Sequence, residues 1–189
     1  MANRTGTYIA FAAEGGKNVT ETDFKYYNLL KGWNKMKNRE FNIVNSHEKI
    51  RQIRGWSSEP TIVKTLKERM KASKRFMLLV GEKTRLDDDY IPFEIEYAVK
   101  DLGLPVIICF VNERNRLTTK TYRSELDKLI PQSLKNLMKN NEVKTIHIPL
   151  RERIMSKALG DFDFNNMPKH SRGLYNDSVY DSIYDKGEI

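Results

Sequence analysis

The chain has 189 residues, 39% hydrophobic and 31% charged, with a formal net charge of +8, which is the size and balance of one globular domain with a real core. Its apolar runs are strand-length and too short to cross a bilayer, so a soluble protein with no membrane partner is expected. The cations are mixed with acids, as in KTLKERMKASKR, which reads as a basic surface that suits an anionic dinucleotide rather than as a dedicated nucleic-acid groove.

The opening MANRTGTYIAF lacks the apolar stretch and cleavage site of a secretory leader. Tyr8 to Ala13 is short, apolar and β-prone, and it breaks at Glu14-Gly15-Gly16. Asp23 can cap a helix running to about Lys37, with Phe24, Tyr27, Leu30 and Trp33 on one face. Phe41 to Val44 reads as a second strand ending in Asn45-Ser46-His47. A polar loop with Arg51, Arg54, Gly55 and Trp56 follows. Pro60 suits the start of a helix that reaches Ser73 and sets Ile62, Leu66 and Met70 on one face.

Phe76 to Val80 is a buried strand. It runs into a polar loop and then a short helix opening near Ile91, with Glu94 in its first turn. Gly103-Leu104-Pro105 leads to the next buried strand. That strand holds Cys109, the single cysteine, which can form no internal disulfide and reads as a small core residue in a reducing cytoplasm. Asn112 to Lys120 is a charged loop. Thr121 to Lys139 reads as helical, interrupted or split at Pro131. Val143 to Ile148 alternates like a half-exposed edge strand, and Arg151 to Leu159 reads as a last short helix ended by Gly160. The remaining tail is polar and tyrosine-rich, without a clear period.

Five strands alternating with helices imply an α/β, flavodoxin-like three-layer sandwich with a mainly parallel five-stranded sheet of order 2-1-3-4-5. The division expected is residues 1–160 as one α/β domain and 161–189 as an extension packed on or trailing it. In that order the switch point lies between strands one and three, and the loops after Phe11 and Val80 face one crevice.

No G-x-G-x-x-G or Walker-type glycine motif is present, so Gly15-Gly16 reads first as a flexible turn. Glu94 and Glu96 are two residues apart on a helix and point to different faces, so they are not a carboxylate pair. On spacing alone, a helix-start glutamate such as Glu94 stabilises the helix dipole, by about 0.3–1 kcal/mol. Ser46 and His47 read as turn and cap residues, since adjacency does not make a nucleophile and base. Three scattered histidines and one buried cysteine argue against zinc, and Asp87-Asp88-Asp89 reads as solvated. Trp56 suits a lid or an interface equally.

Taken together, YIAFAAEG, DFKYYNLLKGW, FNIVNSHEK, the loop arginine Arg54, TLKERMKASKRFMLLVGEKT, IPFEIEYAV, VKTIHIPL and the FNNMPKHSRGLYNDSVY tail resemble the TIR-like family of the Thoeris ThsB type. The resemblance covers nearly the whole chain. It implies a TIR-like, flavodoxin-like fold and cleavage of NAD at the nicotinamide–ribose bond by a glutamate on the helix after the third strand, the position of Glu94. NAD is then a substrate, with no separate cofactor and no metal. Phe11, Ala12 and Glu14 would wall the crevice from the first strand. Ser46 and His47 would border it from the second, Arg54 would reach the pyrophosphate, and the loops around Trp56 and Arg85 would be lids.

The resemblance also implies bacterial antiphage defence. A phage-derived trigger would start production of an ADP-ribose-derived signal, linear, cyclic or conjugated, for a separate effector protein, with homo-oligomerisation on activation. Relatives often carry an aspartate where this chain has Ala12, Ala13 and Glu14. TIR-type folds also include non-catalytic modules that bind a nucleotide or scaffold an assembly, and that reading stands beside the enzymatic one.

Overall fold

A computed structural model of the chain describes residues 4–12, 24–35, 43–44, 59–86 and 90–189. The strands are β1 (Gly6–Ala10), β2 (Ile43–Val44), β3 (Ser73–Val80), β4 (Val106–Phe110) and β5 (Thr145–Pro149). The α-helices are α1 (Phe24–Lys35), α2 (Glu59–Lys71), α3 (Ile91–Glu96), α4 (Gln132–Lys139), α5 (Glu152–Asp161) and α6 (Asp177–Ile183). β1 pairs in parallel with β2 and β3, β3 with β4, and β4 with β5, with Ile43 and Val44 the described residues of β2. The class is therefore α/β with a parallel sheet, consistent with a flavodoxin-like sandwich.

Alternation along the strands sends side chains to two separate layers. On one side Tyr8, Ala10, Phe76, Leu78, Val80, Val106, Ile108 and Phe110 pack against α2, α3 and α4 through Ile62, Leu66, Met70, Ile91, Ile95 and Leu134. On the other, Ile9, Phe11, Met77, Leu79, Ile107, Cys109 and Ile148 meet α1 and α5 through Tyr27, Leu30, Ile154 and Ala158. Both faces are covered, which is why β3 and β4 read as unbroken apolar runs. Among the described residues, no helix is long and apolar enough to cross a membrane.

Several local expectations are corrected. Ser73 opens β3 rather than closing α2, which ends at Lys71. Pro131 does split the segment before Lys139: a 3-10 stretch, Ser124–Leu129, precedes α4. α5 runs through Gly160 to Asp161 instead of stopping at it, since a glycine facing open space costs a helix only about 1 kcal/mol. It is not the last helix, because α6 follows in the tail.

The largest correction concerns β5, which is buried throughout rather than half-exposed. The tail covers its edge. Thr145 N–H donates to the His170 carbonyl at 3.0 Å, His147 N–H to Gly173 at 3.0 Å, and Gly173 N–H to Thr145 at 2.9 Å. A sheet edge left open is a template for pairing with other chains, and this one is closed internally. Tyr175, Tyr180 and Tyr184 carry the tail back over α5 and into the core. Their hydroxyls find partners, as buried phenols must: Tyr175 donates to Asp161 at 2.7 Å, Tyr184 accepts from Ile154 N–H at 3.1 Å and Tyr180 from Leu117 N–H at 3.1 Å. The tyrosines that looked aperiodic are anchors. Burial pushes the Tyr180 phenol up to about 12.

Candidate functional site

The switch point of this sheet lies where β1 and β3 run side by side with their carboxyl ends together, and ligands of open α/β sheets bind outside such ends. β3 leaves the sheet through Gly81 and a single 3-10 turn, Thr84–Leu86. The turn is closed by the buried Thr84 hydroxyl, which accepts from Gly81 N–H at 2.8 Å and donates to the Leu79 carbonyl at 3.3 Å. Arg85, expected at a lid, is exposed on this turn. The chain then enters α3, where Pro92 sits in the first turn with φ already suited to a helix.

Glu94 lies in that first turn and has no accessible surface, whereas Glu96 is exposed and pairs with Lys100 at 3.6 Å. The two glutamates do face different ways. A surface carboxylate serving only the helix dipole would remain in water; Glu94 is instead turned under the helix onto the sheet. There it accepts a hydrogen bond at Oε1 from the phenol of Tyr8 on β1, 86 positions away in sequence. Tyr8 is itself immobilised, fully buried and stacked on Phe76 with ring centroids 5.7 Å apart.

Sequence reasoning missed Tyr8, because a tyrosine in an apolar strand reads as core. The one available signal was its hydroxyl, which burial obliges to find a partner.

Phe11 lies in the opposite layer from Glu94 and Tyr8. It is 1% exposed and stacks on Tyr27 of α1 at 5.1 Å. Its side chain therefore contributes to the α1 interface; only its backbone stands at the strand end. Ala12 is buried beside it. Glu14, Ser46, His47, Arg54 and Trp56 lie outside the described residues.

Beyond Glu96 the backbone widens into a π-helical turn, Tyr97–Asp101, with Leu102 N–H bonded to the Tyr97 carbonyl at 3.2 Å. It closes at Gly103, whose φ of +61° is left-handed, and Leu104 N–H reaches back to the Ala98 carbonyl at 2.9 Å. Widened turns of this kind are frequent next to functional sites.

The loop after β4 borders the same end of the sheet. Tyr26 of α1 donates to Asn112 Oδ1 at 2.8 Å. Glu113 is nearly buried. Burial alone would push its carboxyl up, but the N–H groups of Asn115 and Arg114 and the Arg123 guanidinium, at 2.9, 2.9 and 2.5 Å, bring it below the ordinary carboxylate range. With every one of these bonds serving loop closure, Glu113 is a brace. Among the described residues, no group of three His, Cys, Asp or Glu could hold a metal ion.

The family model described as Thoeris protein ThsB, TIR-like domain, matches residues 8–116, more than half of the chain. The match runs from Tyr8, within β1, into the loop after β4, and so includes both Tyr8 and Glu94. The chain belongs to the Thoeris ThsB TIR-like domain family.

Proposed function

We infer that the protein is an NAD-cleaving enzyme of antiphage defence, with Glu94 as the catalytic carboxylate. Family membership points to defence. The observation that carries the enzymatic reading is Glu94 itself, a buried carboxylate in the first turn of the helix after β3, bonded to a tyrosine of the neighbouring strand. Such a group is costly to bury.

The chemistry asks little else of the chain. The nicotinamide of NAD is a pyridinium, so when the glycosidic bond breaks its electron pair returns to the ring nitrogen and the base leaves neutral. No general acid is required. Positive charge develops at the anomeric carbon, and a fixed carboxylate stabilises it more strongly in a dry site than in water. The ribosyl centre then takes either the oxygen of water, which gives its proton to solvent, or an adenine nitrogen of the same molecule, which gives a cyclic product. Cyclisation requires a folded ligand and exclusion of water.

Glu94 has no accessible surface in the structure, so on this reading the substrate reaches it only after a rearrangement that uncovers it. An enzyme silent until triggered has this property. The same burial supports the second reading, a non-catalytic module in which Glu94 ties α3 to the sheet. The two separate on mass spectrometry of NAD products after incubation with extract from phage-infected cells. The enzymatic reading predicts nicotinamide together with linear, cyclic or conjugated ADP-ribose, absent with Glu94→Gln. Intact NAD in every triggered sample would leave the second.

A further inference from the structure

We propose that Tyr8 is a positioning residue for Glu94, holding its carboxylate in one orientation and in its ionised form; this rests on the reading of Glu94 as the NAD-cleaving group. The geometry is a clamp between two rigid elements. Tyr8 stands on β1, which is paired on both sides, and its ring is stacked on Phe76 at an interplanar angle of 11°. Its hydroxyl therefore has a fixed position. Glu94 stands on α3, which is pinned to the same layer by Ile91 and Ile95. The phenol donates to Oε1, which removes rotation of the carboxylate about its last torsion.

The chemical need is specific. A carboxylate with no accessible surface is under pressure to take up a proton, and a protonated acid cannot stabilise a developing cation. A donor hydrogen bond to the ionised form opposes that pressure. Tyrosine supplies a donor without a charge. A lysine or arginine in the same place would neutralise the field that the ribosyl centre needs. Tyr8 exchanges no proton with the substrate in this scheme and touches no reacting atom.

The test compares wild type, Tyr8→Phe, Glu94→Gln and protein carrying 3-fluorotyrosine at position 8 alone, each full-length and with extract from phage-infected cells. Tyr8→Phe keeps the stacked ring. A lost bond to a charged group should lower kcat at neutral pH by about tenfold or more. KM should stay within about twofold, because ground-state binding is not the target. The acid limb of the kcat profile should move to higher pH, and raising the pH should restore much of the rate. Fluorotyrosine, a stronger donor, should move the same limb to lower pH. A purely structural tie would lower thermal stability and leave the limb in place; an unmoved limb in both variants overturns the proposal.

Infrared titration of the Glu94 carboxyl, read as the difference between wild type and Glu94→Gln, needs no turnover. Its midpoint should rise by about one unit or more in Tyr8→Phe. An unchanged midpoint refutes the clamp. No nicotinamide release from triggered wild type, together with a moved midpoint, would instead remove the NAD reading and leave the clamp standing.

Discussion

Gly173→Ala tests how the tail completes the fold. Gly173 lies against the free edge of β5, and a Cβ added there would sit 2.5 Å from the Thr145 carbonyl oxygen. An ordinary contact needs close to another ångström. Because the obstacle is backbone in the sheet, the tail must retreat. Two bonds cannot survive a shift of that size: Gly173 N–H to Thr145 at 2.9 Å and His147 N–H to Gly173 at 3.0 Å. Each contributes about 0.5–1.5 kcal/mol net, and the exposed edge adds to the loss, so about 2–3 kcal/mol of stability should go. Urea denaturation reads this as a lower midpoint with little change in slope. Hydrogen exchange should show the His147 amide losing protection ahead of β3 and β4. A loss below about 0.5 kcal/mol with unchanged His147 protection would refute the claim that the tail closes this edge.

Three further outcomes follow from individual side chains. His147 is buried on β5 between the Tyr122 hydroxyl at 3.1 Å and the Thr145 hydroxyl at 3.0 Å. Burial, and then Arg172, push its ring down from 6.5 to about 3. The unfolded chain therefore takes the proton first, so stability is intact above pH 6.5 and falls as the pH drops toward 3. Relative to wild type, His147→Gln should flatten the stability-versus-pH curve between about pH 6 and pH 4; equal slopes would count against a neutral His147. Cys109 is fully buried and its thiol is pushed up by that burial, so a thiol-specific reagent should label it only at the rate of unfolding, and fast labelling of native protein would contradict the packing. Glu96→Gln breaks only an exposed pair with Lys100 and should cost less than about 0.5 kcal/mol, with nicotinamide release unchanged.

The α/β alternation was legible because buried strands and amphipathic helices have different periods, and Ile62, Leu66 and Met70 fall on the core face that spacing assigns them. The separation of Glu94 from Glu96 was legible for the same reason. What composition hides is long-range pairing. Nothing local shows that Tyr8 and Glu94 meet, or that Gly173 docks on Thr145, because each contact joins segments that only the folded sheet brings together. β5 was misread for this reason: its alternation is that of an edge strand, and its cover comes from residues about 25 positions later. Phe11 shows the converse limit, since standing at a strand end did not decide which layer its ring enters.

Glu94 as the group that breaks the nicotinamide–ribose bond is tested most directly by the rate of nicotinamide release from NAD. The triggered protein is compared with its Glu94→Gln variant, with both shown to be folded. Release by wild type and a fall of about a hundredfold or more in the variant are expected. Undiminished release by Glu94→Gln would contradict the assignment.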